Sequence, residues 1–121
     1  PQCLSYKATM WLDAPATVRP GQEFEVTAFL RSDDCSSFGG PMYSLYSKPG
    51  IWDSPPDRGA SVEAGQTGSY TFTLTAPDEP QTVEVAVGAF FEVFYPPPPG
   101  SWSWGSSGTP WYTITVEEIQ E

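Results

Sequence analysis

Hydrophobic and polar residues alternate with a period of two along most of this chain, and a helical period is nearly absent. In residues 82–93, for example, six apolar side chains fall on one face of an extended chain. This alternation is typical of β-strands that bury one face. It predicts strands at 5–12, 22–31, 42–46, 69–76, 82–93 and 111–118, and a further short strand is expected within 48–64.

Proline and glycine punctuate the gaps between these predicted strands, as they do at turns. The chain has 121 residues, which is a typical length for one domain. Six strands at this spacing, each with one apolar face, predict an immunoglobulin-like two-sheet antiparallel β-sandwich. We therefore expect an all-β fold in which residues 1–121 form a single domain.

Two stretches of the chain are nearly the same. VRPGQEFEVT begins at Val18, and VEAGQTGSYT begins at Val62. We interpret both as strands of one sheet that each follow a Gly-Gln turn. The fold would then require the same local structure at two places. An internal duplication is the alternative.

These stretches also carry a resemblance to a known family. The run from VRPGQEFEVTAFL through MYSLY to VEAGQTGSYTFTLTAP and VEVAVGAF resembles the Ig-like modules of the CARDB family, the cell-adhesion-related domain, over residues 16–91. The resemblance lies in turns and apolar positions and contains no catalytic motif. It implies a module of a surface stalk, an adhesion unit or an assembly unit, with no catalysis.

The two cysteines, Cys3 and Cys35, predict a structural disulfide. They are equidistant from a turn near Arg19 and Pro20 if the first two predicted strands pair antiparallel. Two ligands are too few for zinc, and the spacing is not that of a redox pair. A bridge implies an oxidising space, so we expect an extracellular, cell-surface or virion-surface location. Two buried free thiols in a cytosolic protein are the alternative.

Charge and composition narrow the classes of function. The net charge is −10, which argues against nucleic acid and anionic membranes as partners, and no apolar run is long enough for membrane insertion. The chain has no histidine and no G-x-S-x-G motif. We therefore predict no enzyme activity, no cofactor and no metal, although a carboxylate pair for glycoside hydrolysis stays open. Because the chain begins with Pro1, we expect a processed product or an excised piece.

The loop predicted between the last two strands, residues 94–110 (the F–G loop in immunoglobulin naming), is unusually long and aromatic. It opens with four consecutive prolines at 96–99, and its middle is rich in serine and glycine. Large aromatic side chains dominate many interfaces, so we predict that it binds a partner. The alternative is that it folds back and caps the sandwich. The candidate binding residues are Phe94, Tyr95, Trp102, Trp104 and Trp111.

A second candidate patch consists of Trp11 and Phe29, which the alternation places on the polar side of their strands as diagonal neighbours. Exposed together, they predict an assembly contact. The alternative is that the segment 48–64, with Ile51 and Trp52, covers them.

The first hypothesis for function is a non-catalytic structural or adhesion protein, such as a subunit or decoration of a surface filament, stalk or virion-type assembly. Its partner would be protein, either a second copy or a neighbouring surface protein. The second is a carbohydrate-binding module that stacks its aromatic side chains on a glycan. A third hypothesis is an Ig-like protease inhibitor, but no loop of the chain closely resembles the loop motifs of such inhibitors.

Overall fold

A computed structural model describes residues 2–118 of the chain, and these residues fold into two β-sheets packed face to face. Its strands are β1 (Ala8–Asp13), β2 (Thr17–Val18), β3 (Glu23–Ser32), β4 (Ser37–Lys48), β5 (Ser54–Arg58), β6 (Thr67–Thr75), β7 (Gln81–Tyr95), β8 (Ser101–Gly108) and β9 (Tyr112–Val116). No helix within residues 2–118 is long and apolar enough to cross a membrane. The predicted all-β sandwich is confirmed.

The small sheet has the order β1-β3-β6, and the large sheet has the order β2-β9-β7-β4-β5. Strand β8 pairs with β7 outside this path. Strand β7 is long enough to pair with two strands on one side: Gln81–Val85 pair with β9, and Gly88–Tyr95 pair with β8. Its other side pairs with β4.

The alternation places the predicted apolar stripes between the sheets. Phe24, Val26, Ala28 and Leu30 of β3 are buried, as are Val83, Val85, Val87, Ala89, Phe91 and Val93 of β7. The segment 48–64 contributes Trp52, whose ring packs edge-on against Phe24 with the ring centroids 5.3 Å apart. The Trp52 indole N–H donates to the Thr75 carbonyl at 2.9 Å. Trp52 therefore belongs to the core, and the alternative in which it covers Trp11 and Phe29 is wrong.

The two similar stretches, as predicted, lie in one sheet, where β3 and β6 are antiparallel neighbours. The Gly-Gln turns before them are built alike. Gly21 and Gly65 have φ of 75° and 77°, which glycine adopts without a Cβ clash. The Gln22 N–H donates to the Arg19 carbonyl at 3.1 Å, and the Gln66 N–H donates to the Glu63 carbonyl at 3.0 Å.

The predicted disulfide is present, and Cys3 and Cys35 have Cα atoms 5.9 Å apart. It ties the segment before β1 to the connection between β3 and β4. In the loop-entropy account, a bridge of this span stabilises the fold by roughly 3–4 kcal/mol.

The prediction of a loop over 94–110 is wrong for most of its length. Strand β7 continues to Tyr95, and Ser101–Gly108 form β8, so that only 96–100 make the turn of a hairpin. Sequence reasoning read the serines and glycines of β8 as loop residues. At Gly105 the residue must be small because β8 lies close to the core there: a Cβ on Gly105 would come within 2.8 Å of Tyr6 Cζ and of Val93 Cγ2.

The predicted strand 42–46 is also too short, because β4 extends from Ser37 to Lys48. It crosses Gly39-Gly40-Pro41, which the sequence marks as a break. The pairing with β7 shifts register between Gly39 and Met42, which is a β-bulge that lets the strand continue through these residues.

Candidate functional site

Six large aromatic side chains are exposed on the outer side of the large sheet, with between 43% and 60% of their surface accessible. We call this set the aromatic face. It consists of Tyr46, Phe90, Phe94, Trp102, Trp104 and Trp111. Elsewhere in residues 2–118 the exposed large hydrophobic side chains are Leu4 and Ile51. The exposed aromatic surface is therefore concentrated on one side of the molecule.

The β7–β8 hairpin positions the densest part of the aromatic face. Phe94 lies opposite Trp102, and Glu92 lies opposite Trp104. Directly opposite residues of an antiparallel pair share a face, so these side chains project together. The Trp102 and Trp104 ring centroids are 5.7 Å apart with the rings at 83°, and Phe90 lies 6.4 Å from Trp104 at 53°. The rings touch along their edges and form an uneven surface.

The other end of the aromatic face is formed by Tyr46 of β4 and by Trp111, which immediately precedes β9. A Cβ on Gly88 would come within 3.5 Å of Tyr46 Cε2, so the Tyr46 ring lies over this glycine. The Lys48 ammonium lies 4.1 Å from the centre of the Trp111 ring, within cation–π range. This contact orients Trp111 while leaving 44% of it exposed.

A shallow groove of about 390 Å³ follows the β-bulge at the centre of the aromatic face. Two glycines form part of its wall, and their lack of a side chain determines its shape. A Cβ on Gly39 would lie 2.6 Å from Phe94 Cε2, and a Cβ on Gly40 would lie 2.7 Å from the Arg58 guanidinium. Phe94 and Arg58 therefore lie flat against the backbone of the bulge.

The groove also holds two charged groups of opposite sign, Glu92 and Arg58. No hydrogen bond or ion pair joins either side chain to another residue within 2–118. The Arg58 guanidinium presents donors and the Glu92 carboxylate presents acceptors. Both are beside aromatic rings and open to a ligand.

The structure brings four of the five predicted loop residues together on the aromatic face: Phe94, Trp102, Trp104 and Trp111. The fifth, Tyr95, points inward, packs against the core and shares a 3.0 Å hydrogen bond between its hydroxyl and the Ser103 hydroxyl. Sequence reasoning missed Tyr46 and Phe90. Their signal was present, because each falls on the polar side of an alternating strand where an aromatic residue is out of pattern.

The second predicted patch lies on the outer side of the small sheet. Trp11 and Phe29 are directly opposite, not diagonal, because the pairing register is offset from the one implied by the cysteines. Their rings stack with centroids 5.4 Å apart, and the Arg31 guanidinium carbon lies 5.3 Å from the Trp11 ring centre. Both side chains are only partly exposed.

Two carboxyl groups among the described residues have a lowered pKa. A hydrogen bond from the Thr9 hydroxyl lowers the pKa of Asp33, with a further contribution from Arg31. A hydrogen bond from the Tyr70 hydroxyl lowers the pKa of Asp57. A lowered carboxyl pKa holds the group ionised, whereas a general acid needs a raised one. Within residues 2–118, no group of three or more His, Cys, Asp or Glu side chains could hold a metal ion.

Comparison with known proteins identifies the fold. No protein-family model matches the chain, and no curated protein matches it significantly in sequence. Among solved structures, the crystal structure of a CARDB domain from Pyrococcus furiosus, in complex with di-metal ions, superposes with a TM-score of 0.67. The match covers 93% of this chain and 89% of that chain at 10% identity.

The chain has a CARDB-like fold. The solution structure of the Pyrococcus furiosus CARDB domain agrees, with a TM-score of 0.66 at 9% identity over 92% of this chain and 94% of that one. A β-glucosidase from Erythrobacter marinus gives a TM-score of 0.53 at 16% identity over 93% of this chain, but only 16% of the glucosidase is covered. The resemblance inferred from the turns and apolar positions is thus confirmed at the level of fold.

Proposed function

We propose that the chain is a non-catalytic adhesion-type module of a surface assembly, and that its aromatic face binds protein. The observation that carries this proposal is the collection of six exposed aromatic side chains on one side of the large sheet. Exposed apolar patches of this kind mark interaction sites. Tryptophan and tyrosine are also the residues most enriched among those that dominate binding energy.

The orientation of the rings favours a protein partner over a flat glycan. Stacking on the surface of an ordered polysaccharide requires rings that lie in one plane. The Trp102 and Trp104 rings are at 83°, and the Phe90 and Trp104 rings are at 53°. Such an uneven surface suits the side chains of a protein partner, which can fill the gaps between the rings.

The disulfide and the charge of the chain fit this role. A Cys3–Cys35 bridge is compatible with an extracellular location, where disulfides persist. A net charge of −10 keeps a protein with an exposed aromatic surface soluble. We therefore place the module on the outside of a cell or particle.

Retention on the native surface tests the proposal. The chain would be expressed in its native organism with Tyr46, Phe90 and Trp111 changed to serine. The amount of protein bound to the surface would be compared with the amount released into the medium. We expect the folded variant to be shed. A matched control changes the exposed threonines Thr73 and Thr75 of the small sheet to alanine and should be retained like wild type. Equal retention of both variants would contradict the proposal.

A second candidate, glycan binding, is supported by the groove at the β-bulge. There the charged side chains of Glu92 and Arg58, neither with a partner within 2–118, lie beside Phe90, Phe94 and Trp104. Rings that stack on a sugar and charged groups that bond to its hydroxyls are the elements of a sugar site. Titration of tryptophan fluorescence with soluble oligosaccharides tests this candidate. A saturable shift that Glu92→Gln weakens supports it, and the absence of any shift rejects it.

A further inference from the structure

Strand β8 ends the large sheet on one side of β7. It pairs with β7 over its whole length, from Ser101 to Gly108. No other strand within residues 2–118 pairs with its opposite edge. A shallow space of about 470 Å³ lies along this edge beside Trp104, Gly105 and Ser106.

One side chain shows which backbone groups point away from β7. The Ser106 N–H donates to the Tyr6 hydroxyl at 3.1 Å, and the Tyr6 hydroxyl donates to the Ser106 carbonyl at 3.4 Å. Both backbone groups of Ser106 therefore point outward. Because this direction alternates along a strand, the N–H and C=O groups of Trp102 and Trp104 point outward as well. No residue within 2–118 forms a hydrogen bond to them at this edge.

Apart from the Tyr6 hydroxyl at Ser106, the edge of β8 lacks the features that protect other edges. Proteins usually block an open edge with charges, proline or a bulge. Strand β5, at the other end of the large sheet, has the sequence SPPDR, with two prolines and two charges. Strand β8 has the sequence SWSWGSSG, with no charge and no proline, and its register against β7 is regular throughout.

We propose that the β8 edge pairs with the β8 edge of a second copy, antiparallel across a twofold axis through Ser103. This inference rests on the proposed function, and it identifies one protein partner as a second copy of the chain. In this register Trp102 lies opposite Trp104 of the second copy, and the outward backbone groups of each bond to the other. Their indole rings lie on the same side of the joined sheet, where cross-strand aromatic pairs stabilise pairing.

The ends of the paired segment are set by neighbouring structure. At one end the Tyr6 hydroxyl already occupies the backbone groups of Ser106. At the other end Gly100, with φ of 78°, turns the chain back toward β7. The pairing therefore spans residues 101–105.

So short a segment makes a weak dimer. It buries less than the roughly 800 Å² per partner that is usual for stable complexes. Each copy also carries a net charge of −10, so the copies repel one another at low salt. We expect a dimer that forms at high protein concentration and that added salt strengthens, because salt screens the repulsion. It joins the two aromatic faces and leaves Tyr46, Phe90 and Trp111 open to another partner.

Backbone amide exchange at low and high protein concentration tests this pairing. In the monomer the Ser103 and Gly105 amides bond to β7 and are protected, whereas the Trp102 and Trp104 amides exchange fast. At high concentration we expect the Trp102 and Trp104 amides to become protected as sedimentation velocity shows a dimer. A monomer at every concentration overturns the inference, and so does a dimer in which these two amides still exchange fast.

A matched pair of variants isolates the backbone contribution. Trp102→Ala and Trp102→Pro both remove the indole, but only proline removes the outward N–H, and neither change removes a bond to β7. We expect Trp102→Pro to abolish the dimer and Trp102→Ala to weaken it; equal dimerisation overturns the inference. The exchange measurement uses wild-type chain and stands even if the proline variant does not fold. Failure here leaves the proposed function intact, since that is tested by variants of Tyr46, Phe90 and Trp111.

Discussion

The two outer faces of the sandwich both carry aromatic residues but use them differently. On the small sheet, Trp11 stacks on Phe29, Arg31 lies over Trp11, and the Thr27 and Thr71 hydroxyls bond to one another at 3.0 Å. On the large sheet, Trp102 and Trp104 touch only by their edges and are 59% and 60% exposed. The aromatic side chains of the first face are largely paired with neighbours in the chain, whereas Trp102 and Trp104 of the second face stay mostly exposed.

This difference shows that the number of aromatic residues on a surface does not identify a contact site. A better indicator of a contact site is apolar area that the chain leaves uncovered. On that criterion we propose the large sheet as the contact surface. The Trp11 and Phe29 pair stays a prediction as an assembly patch, and its stacked rings lead us to expect that it mainly stabilises the small sheet.

The largest expected effect comes from detaching β8 and with it part of the aromatic face. Gly105→Ala places a Cβ within 2.8 Å of Tyr6 Cζ and within 2.9 Å of Phe91 Cε1. We expect a loss of about 2–3 kcal/mol in the free energy of unfolding, measured by urea denaturation. Gly108→Ala is the control, because its nearest neighbour is a carbonyl oxygen 3.7 Å away. Equal stability of the two variants would show that β8 does not depend on close packing.

The second prediction compares one tryptophan from each face. Trp11→Ala removes a stacked ring and a cation–π contact, so we expect it to cost about 2 kcal/mol of stability. Trp104→Ala removes a mostly exposed ring and should change stability by less than about 0.5 kcal/mol. Both values come from denaturant titration. If Trp104→Ala costs as much as Trp11→Ala, the distinction between the two faces is broken.

The third prediction concerns Tyr43, which lies between the two sheets. Its hydroxyl is buried and has no hydrogen-bond partner within residues 2–118, and burial raises its pKa to about 12. Because the pKa of this group is higher in the folded state, the unfolded chain ionises first at alkaline pH. The free energy of unfolding therefore falls as pH rises from about 10 through that value. Tyr43→Phe should gain about 1 kcal/mol at neutral pH and remove this alkaline loss. A Tyr43→Phe chain that is less stable than wild type would indicate a hydroxyl with a partner.

The smallest effect is expected at Asp33, on the small sheet. The hydrogen bond from Thr9, with Arg31 beside it, lowers its pKa. Asp33 therefore stabilises the fold above its unfolded pKa of about 3.9, and this contribution is lost as pH falls through the lower folded pKa. Asp33→Asn should lose part of the acid dependence of the melting temperature. An unchanged acid profile would mean that this network adds nothing to the small sheet.

Much of the fold could be predicted because alternation is a local signal. Strands β3 and β7 bury every residue of their predicted apolar stripes, and β6 buries Phe72 and Leu74. The symmetric placement of Cys3 and Cys35 predicted their bridge. Strand β8 could not be predicted in this way. Its inward residues are serine and glycine, which give no apolar alternation. The nearness of Tyr6 and Val93 to Gly105 is a tertiary contact that leaves no pattern in the chain.

The residues of the aromatic face were likewise predicted only in part. Phe94, Trp102, Trp104 and Trp111 were predicted because they cluster in sequence. Tyr46 and Phe90 join them through the pairing of β4 and β7, and their signal in the sequence was only that each is an aromatic residue on the polar side of an alternating strand. The groove depends on the β-bulge at Gly39, where Phe94 lies against the backbone. Sequence reasoning treated that glycine only as part of the gap between two strands.

The most direct test of the central claim is oxidative footprinting, read out residue by residue. It compares the chain on its native cell or particle surface with the purified chain. If the aromatic face is the contact surface, Phe90, Trp104 and Trp111 will be protected on the native surface. Trp11 will react equally in both samples. Protection of Trp11 with unchanged reactivity at Phe90, Trp104 and Trp111 would place the contact on the small sheet and contradict the account.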